Sequence, residues 1–296
     1  MVELDSWFYD NNFWSFSKHR IWQQCQKQYY YTYIAPFLKQ SPHFDIHKIK
    51  HLKEYKSRIF LQGDLIHNIL EDQINCYLEK RTMDPEGSIQ KYIKMVCQYK
   101  TMAPEVLTEY RHGKPVGDQF FLTMQKNGIS CLSTFFETVW PTYTGLEYLR
   151  HEAFDRFTIN SIDVMVKADY VSKNANGSIV ISDWKTGLPN ELFENELQIA
   201  SYVIWATQYF NKDPNEIKSD LVYLRTGEIR SFVFVKEHLL EVEEKIISDF
   251  KTMNLSYEYE DFLGYPEPNK CLSCKFGSIC PDSKMNEVLK NEDKKL

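Results

Sequence analysis

The pattern of apolar residues changes near Gly145, and this change limits the folds that are open to the chain. Before it, apolar side chains recur every three or four residues, most clearly from Ile66 to Leu78, which predicts a helix. After it come three short β-rich runs, at 147–158, 161–172 and 177–184, with NANG as a hairpin turn between the last two. Helices and strands on one chain predict an α/β (α+β) fold.

The remaining elements fit the same fold class. Weaker helical patterns cover 17–34, 88–99 and 119–139, and the segments 83–87 and 111–117 contain turn residues. The other predicted elements are a helix over 195–210, strands near 219–225 and 229–235, and a helix over 236–253. We expect one compact domain with a mainly helical part (1–145), a core (146–282) and a charged tail (283–296).

Length and composition exclude several classes of protein. A chain of 296 residues with 43% apolar and 26% charged residues is neither disordered nor collagen-like. No apolar run reaches the roughly 18 residues of a membrane span, and the acidic, aromatic start is unlike a signal peptide, so we expect a cytoplasmic protein without membrane contact. A net charge of -6 disfavours bulk coating of nucleic acid but allows a local basic groove.

Two aspartates stand near the ends of neighbouring predicted strands. Asp183 belongs to the sequence DWKTG, and Asp169 lies near the end of the preceding run. Such carboxylates can share a divalent cation, because Mg²⁺ prefers oxygen ligands. Lys185 points to the same strand face as Asp183 and could orient a water or offset charge on a phosphate. The alternative is an ordinary Asp and Lys at a strand end.

Two pairs of residues at helical spacing accompany the aspartates. Gly63 and His67 form G-x-x-x-H, and Gln198 and Tyr202 form Q-x-x-x-Y, so the members of each pair lie on one helix face. A lone histidine on an apolar helix is more often a core residue than a metal ligand. The order G-x-x-x-H, Asp, D-x-K, Q-x-x-x-Y favours the ligand interpretation of His67.

The cysteines form an independent pattern. Cys271, Cys274 and Cys280 are spaced C-x2-C-x5-C, and Cys25 is the candidate for a fourth thiolate. Four thiolates hold an iron-sulfur cluster, whereas structural zinc more often uses two close pairs of ligands, so this spacing favours the cluster. The other three cysteines lie in apolar helical contexts and are expected to be small buried residues: Cys76, Cys97 and Cys131.

Two further segments have alternative interpretations. The segment 47–58 carries Lys48, Lys50, Lys53, Lys56 and Arg58 against one glutamate, so it could contact phosphates or form a solvated helix face. The tyrosine-rich run 29–33 could stack on bases, but burial beside the cysteine site is the favoured interpretation.

In this order the motifs resemble those of the PD-(D/E)XK nuclease superfamily. Within it, they are similar to RecB-like exonucleases with an iron-sulfur cluster, including CRISPR-associated exonucleases, the AddB-type nuclease domain and the Dna2-type nuclease. The resemblance covers Ser15 to Pro281. It implies a restriction-endonuclease-like fold, with a mixed central sheet flanked by helices, a helical N-terminal region and a cysteine cluster that clasps the N- and C-terminal parts.

The resemblance also implies roles for the metal-site residues. His67, Asp169 and Asp183 would bind Mg²⁺ or Mn²⁺ together with the main-chain carbonyl of Trp184. Lys185 would position the attacking water. The pair Gln198 and Tyr202 would support the site or touch DNA.

The cysteines and three further positions complete the comparison. Cys25 and the C-terminal triplet would hold a 4Fe-4S cluster. The residue after the first cysteine is usually proline and is Gln26 here, and a glycine common two residues before the first acidic position is replaced by Lys167. Glu152, on the strand before, alternates in phase with an inward face and is the weaker candidate for an auxiliary role.

The motifs together predict a metal-dependent DNA exonuclease that acts on single strands or ends in repair, recombination or defence. The cluster would be structural, because phosphodiester hydrolysis needs a Lewis acid and a water rather than electron transfer. An endonuclease, or a subunit that works with a helicase or a CRISPR-type partner, is an alternative with the same fold. A catalytically silent DNA-binding or assembly module is the rival from another class, and the intact Asp169, Asp183 and Lys185 argue against it.

Overall fold

The computed structural model of the protein describes residues 3–189 and 196–288. Within those ranges the α-helices are α1 (Ser6–Asp10), α2 (Phe16–Gln24), α3 (Gln26–Tyr33), α4 (Ile46–Glu54), α5 (Arg58–Leu78), α6 (Pro85–Val106), α7 (Thr108–Arg111), α8 (Asp118–Thr134), α9 (Glu196–Phe210), α10 (Lys236–Met253) and α11 (Pro268–Ser273). The strands are β1 (Glu147–His151), β2 (Phe154–Ile159), β3 (Ile162–Lys167), β4 (Tyr170–Lys173), β5 (Ile179–Lys185), β6 (Ile217–Tyr223) and β7 (Glu228–Phe232). No helix of the described residues is long and apolar enough to cross a membrane.

The chain forms two compact units. Unit 1 comprises Met1–Leu61, Tyr99–Gly117 and Ser248–Leu296, and unit 2 comprises Gln62–Gln98 and Asp118–Ile247. The N-terminal and C-terminal segments therefore belong to the same unit. The division predicted from the sequence, at 145 and 282, stays a prediction. Residues 289–296 of the predicted tail and Asn195 of the predicted 195–210 helix lie outside the described residues.

Unit 2 is built on a mixed five-stranded sheet in the order β1-β4-β5-β6-β7. β5 and β6 pair in parallel, from Ile179 opposite Ile217 to Lys185 opposite Tyr223, and the other neighbouring strands pair antiparallel. β5 and β6 are buried along almost their whole length, as expected for apolar strands covered on both faces. The predicted α/β fold with a mixed central sheet is confirmed.

A long antiparallel hairpin in unit 2 is interrupted near its middle. β1 pairs with β4 and β2 pairs with β3, so the predicted strands 147–158 and 161–172 are each broken in two. At the break Glu152 has a left-handed backbone (φ 48°), and its N–H donates to the carbonyl of Ala168 at 3.0 Å. The placement of Glu152 on a strand was therefore wrong. Such an interruption redirects side chains out of the regular alternation, as a β-bulge does.

Two predicted local boundaries also differ from the structure. The helix predicted over 17–34 is divided by Cys25, whose extended backbone (φ -171°) separates α2 from α3. Ser15 begins α2 as its N-cap, since its hydroxyl accepts a hydrogen bond from the Lys18 N–H. In the predicted turn 83–87, residues from Pro85 onward already belong to α6, because proline is well tolerated in the first helical turn.

Candidate active site and cysteine site

The break in the hairpin brings two carboxylates to a histidine of α5. The Nδ1 atom of His67 lies 3.2 Å from Glu152 Oε1 and 3.4 Å from Asp169 Oδ1. In the described part of the chain, these are the three residues of ligand type whose donor atoms all lie within 4.8 Å of one another. The other ring nitrogen of His67 is 3.1 Å from the main-chain carbonyl of Trp184. Three of the four predicted metal ligands are therefore together, and Glu152 joins them.

Asp183, the fourth predicted ligand, lies in β5 within a network of hydrogen bonds. Its Oδ2 is 2.5 Å from Lys185 Nζ, and its Oδ1 accepts a hydrogen bond from Gln198 Nε2 at 3.0 Å. Lys185 Nζ also donates to Gln198 Oε1 at 3.0 Å, and Gln198 Nε2 donates to the Tyr202 hydroxyl at 2.7 Å. The structure thus joins all four residues of the D-x-K and Q-x-x-x-Y motifs. Gln198 holds Lys185 beside Asp183.

Two main-chain hydrogen bonds connect this network to the hairpin break. The Trp184 N–H donates to Asp169 Oδ2 at 2.6 Å, and the Tyr202 hydroxyl donates to the Lys167 carbonyl at 2.9 Å. The connected residues surround one cavity of about 420 Å³. Its lining includes His67, Lys167, Asp169, Asp183, Trp184, Lys185, Gln198 and Tyr202.

Burial and neighbouring charges shift the pKa values of three groups in this cavity. Burial lowers the pKa of His67, but Asp169 and Glu152 raise it by more, so that it lies well above its usual value. Burial and the negative charge of Asp183 raise the pKa of Asp169, although His67 opposes the shift. Burial and the two aspartates also raise the pKa of Tyr202. A bound cation would reduce the repulsion between the buried carboxylates of Asp169 and Asp183.

The cavity presents donor groups of the types that bind a divalent cation, and Asp183 lies outside the group of donor atoms that are within 4.8 Å of one another. Asp169 and Asp183 offer carboxylate oxygens, Trp184 offers a carbonyl oxygen and His67 offers an imidazole nitrogen. Oxygen ligands suit Mg²⁺ and Mn²⁺, and an imidazole is accepted more readily by Mn²⁺.

Glu152 and Lys167 form an ion pair that the sequence analysis missed. The Nζ atom of Lys167 pairs with Oε2 of Glu152, whose other oxygen faces His67. The lysine that replaces the family glycine therefore acts on the carboxylate beside the histidine. The only sign in the sequence was a charged residue at each of these positions next to β-rich runs.

The four predicted cluster cysteines line a separate cavity of about 300 Å³ within unit 1. Burial, followed by smaller effects that include the negative charges of neighbouring cysteines, raises the pKa of Cys274 to about 12 and that of Cys280 to about 11. Cys25 and Cys271 contribute to both shifts, so the four sulfurs are electrostatic neighbours. Among the described residues, no three of these sulfurs all lie within 4.8 Å of one another.

Aromatic residues and one lysine enclose the cysteine cavity. Tyr31 packs against Phe276 with ring centroids 5.2 Å apart, and its hydroxyl is hydrogen-bonded to that of Tyr259 at 2.8 Å. Lys27 Nζ donates to the Tyr259 carbonyl at 2.7 Å and lies 3.3 Å from the centre of that ring. Tyr29, Tyr30 and Tyr31 are buried, as the favoured interpretation of the run 29–33 expects, and Tyr33 is half-buried.

Gln26, which departs from the family proline, connects the N- and C-terminal segments of unit 1. Its Oε1 accepts a hydrogen bond from the Leu263 N–H at 2.9 Å, and the next residue, Lys27, donates its N–H to the Leu263 carbonyl at 3.2 Å. The polar side chain therefore supports the segment that presents Cys25.

Gly277 allows the cysteine loop to close tightly, and a substitution tests this. A Cβ atom at position 277 would lie 2.3 Å from the Cys271 carbonyl oxygen, so backbone would have to move. We expect Gly277→Ala to lower the free energy of unfolding by about 1–3 kcal/mol in a denaturant titration. Gly117→Ala is the matched control, because a Cβ there meets nothing within 4 Å. Equal stability of the two variants would contradict the close approach.

The other cysteines and the basic segment differ in part from their expected roles. Cys131 is buried as expected, but Cys76 is half-buried and Cys97 is exposed. The helices that carry them, α5 and α6, also have exposed apolar residues such as Tyr77 and Met102, so an apolar neighbourhood in the sequence did not indicate burial. In the basic segment Lys53 donates to the Thr32 carbonyl at 2.9 Å and Arg58 lies 3.8 Å from Glu109. The five cations therefore do not form one free surface, and phosphate contact by Lys48 and Lys50 stays a prediction.

One of three comparisons with known proteins identifies a family. A solved structure titled "Crystal structure of SSO0001" aligns with 17% identity and a TM-score of 0.31, over 63% of this chain and 80% of that chain. An alignment of that TM-score carries no argument about fold or function. A search of curated proteins gave no significant match. The sequence profile of the PD-(D/E)XK nuclease superfamily matches residues 13–281, which span the hairpin, the D-x-K strand and the cysteines. The chain belongs to the PD-(D/E)XK nuclease superfamily.

Proposed function

We propose that the protein is a metal-dependent DNA exonuclease that acts on single strands or DNA ends. The observation that carries the proposal is the position of Lys185, which is held beside Asp183 by Gln198 in the cavity that also contains Asp169 and His67. A lysine restrained next to one carboxylate, in an open cavity that is lined by a second, suits hydrolysis of a phosphodiester.

The residues of the cavity divide into those that would hold a metal ion and those that would act on the substrate. His67, Asp169, Asp183 and the Trp184 carbonyl are the proposed ligands of Mg²⁺ or Mn²⁺. The ion, when bound, supplies a Lewis acid and lowers the pKa of a water molecule.

Lys185 and the α9 residues have different roles. The Lys185 ammonium would orient the attacking water and stabilise charge on the phosphate. Gln198 contacts Lys185, Asp183 and Tyr202, so it fixes the direction of the lysine. Tyr202 is buried against Asp183 and the Lys167 carbonyl, which supports a positioning role for its hydroxyl.

We further propose a 4Fe-4S cluster on Cys25, Cys271, Cys274 and Cys280. The four cysteines line one cavity as a close triplet and one residue distant in sequence. This pattern favours an iron-sulfur cluster over structural zinc, which more often uses two close pairs of ligands. Its role would be to fasten the N- and C-terminal segments of unit 1.

A catalytically silent DNA-binding or assembly subunit of a helicase-nuclease or CRISPR complex is the second candidate. The restrained Lys185 disfavours it, because a binding module has no need of a lysine fixed by both Asp183 and Gln198. An enzyme that also works beside a helicase or CRISPR-type partner is compatible with the proposal.

A nuclease assay tests the proposal directly. End-labelled single-stranded and blunt double-stranded DNA would be incubated with the protein and Mg²⁺ or Mn²⁺, with EDTA as the control. Shortening of the labelled strand from one end supports an exonuclease, and internal cuts support an endonuclease. Absence of cleavage with both ions, in protein that retains its cysteine-bound group, would favour the silent subunit.

The contribution of His67 can be measured through the choice of metal. Because imidazole binds Mn²⁺ more readily than Mg²⁺, we expect Mn²⁺ to support cleavage at least as well as Mg²⁺. His67→Ala should lower both activities and weaken Mn²⁺ binding in a calorimetric titration. Unchanged activity with both ions would show that His67 is a core residue and no ligand.

A further inference from the structure

Phe154 is a large aromatic residue that remains exposed beside the candidate active site. Its relative exposure is 70%, the highest of any phenylalanine among the exposed large apolar residues described. It is the first residue of β2 and lies opposite Lys167 in the β2–β3 ladder. The Lys167 Nζ atom is 5.3 Å from the centre of the Phe154 ring. An aromatic face and a cation, which also pairs with Glu152, are thus presented together.

The position of this pair is fixed relative to the catalytic cavity. Lys167 lines the cavity, and its carbonyl accepts the hydrogen bond from Tyr202. Asp169 follows Lys167 by two residues, and Glu152, which contacts His67, precedes Phe154 by two. Cross-strand neighbours such as Phe154 and Lys167 have Cβ atoms only about 5 Å apart. The ring therefore stands next to a residue of the cavity wall, and Phe154 itself does not line the cavity.

The hairpin that carries Phe154 is held in place by contacts within unit 2. Arg150 pairs with Asp155 at 2.8 Å and stacks 4.7 Å from the centre of the Tyr209 ring. Farther along the hairpin, Gln208 Nε2 donates to the Thr158 carbonyl at 3.2 Å. A surface of this kind can accept a ligand without first being ordered.

We propose that Phe154 is a stacking platform for an unpaired DNA base adjacent to the cleaved phosphate, with Lys167 beside it as the cation. The inference rests on the proposed function and names its substrate class as single-stranded DNA. Bases inside a duplex are stacked on both faces, and a blunt duplex offers the ring only its terminal pairs, so a single strand has many more bases that can stack on it. Stacking on one aromatic side chain contributes about tenfold or more in affinity for a single strand.

The test measures DNA binding without hydrolysis. Fluorescence anisotropy would follow a short labelled single strand and a blunt duplex in EDTA, with wild type and the variants Phe154→Ala, Phe154→Leu and Phe154→Trp. We expect Ala and Leu to weaken single-strand binding about tenfold, Trp to retain it and the duplex affinity to change little. Leu122→Ala, which removes another exposed apolar side chain (58% exposed), is the matched control and should bind as wild type.

A second readout separates stacking from a general loss of structure. A 2-aminopurine placed at successive positions of the strand should be quenched at one position by wild type and by Phe154→Trp but not by Phe154→Leu. Equal binding by Phe154→Ala and wild type, equal behaviour of Leu and Trp, or an equal loss for single and double strands would overturn the inference.

The inference and the proposed function can fail separately. Binding in EDTA needs no cleavage. Weaker binding by Phe154→Ala, in a protein that never cuts DNA, would therefore support the stacking role of Phe154 and refute the proposed nuclease activity. Cleavage of single strands with the same KM and kcat in Phe154→Ala and wild type would support the nuclease activity and refute the stacking role of Phe154.

Discussion

Replacing Asp183 by asparagine should reduce metal-dependent DNA cleavage by about a thousandfold or more and weaken binding of the metal ion. Asparagine has the shape of aspartate, so its oxygen can still accept the hydrogen bond from Gln198. It lacks the charge that would stabilise a cation and that now pairs with Lys185. Loss of one charged ligand removes several kcal/mol of transition-state stabilisation. Turnover on end-labelled DNA and calorimetric metal titration measure the two effects.

Two further variants show whether this loss is specific to the site. Asp220→Asn changes another buried aspartate, which lies on β6 with its Oδ1 2.6 Å from the Ser231 hydroxyl, and should keep metal binding and cleavage. Lys185→Ala should abolish cleavage but retain metal affinity, because its proposed action is on water and phosphate. Cleavage by Lys185→Ala at the wild-type rate would refute the nuclease assignment for this cavity.

Replacing Cys271 by serine should bleach the protein and lower its thermal stability. Wild-type protein prepared without oxygen should be brown, with broad absorption at about 400 nm from thiolate-bound iron. Binding of such a group is coupled to folding, since the cysteines come from segments far apart in the sequence. Ultraviolet-visible spectra, iron and sulfide analysis, and the midpoint of thermal unfolding would be compared between variant and wild type.

Cys97→Ser is the matched control for the cluster. Cys97 is exposed on α6 and does not line the cysteine cavity, so this variant should keep both colour and stability. Stoichiometric zinc without iron, in protein produced anaerobically with ample iron, would replace the cluster proposal with a zinc site.

The sequence predicted the two pairs of residues in the D-x-K network, and the fold of the sheet brings the pairs together. Asp183 and Lys185 are two residues apart on one strand, and Gln198 and Tyr202 are one turn apart on the next helix. Local periodicity alone therefore puts the members of each pair on one face. The parallel pairing of β5 with β6 then requires the intervening helix to cross the sheet, which brings both pairs together.

The role of Glu152 could not be predicted in the same way. Its contact with His67 depends on a left-handed backbone and on the interruption of pairing at Ala168. Apolar alternation continues across this point, so periodicity predicts an unbroken strand. The division of the predicted 17–34 helix at Cys25 could not be predicted for the same reason. The residues on both sides of Cys25 have helical spacing.

The break in the hairpin separates the residues of the candidate site from the tip of the hairpin. An unbroken ladder would connect them in one register. Glu152 and Asp169 lie between the two ladders, next to the ends of β1 and β4 in the five-stranded sheet. The tip of the hairpin, at Asn160 and Ser161, is a tight turn with both residues in the left-handed region. Residues added in pairs at this tip would lengthen β2 and β3 without changing the register of β4 against β5. The tip is therefore a suitable graft point for engineering a longer hairpin.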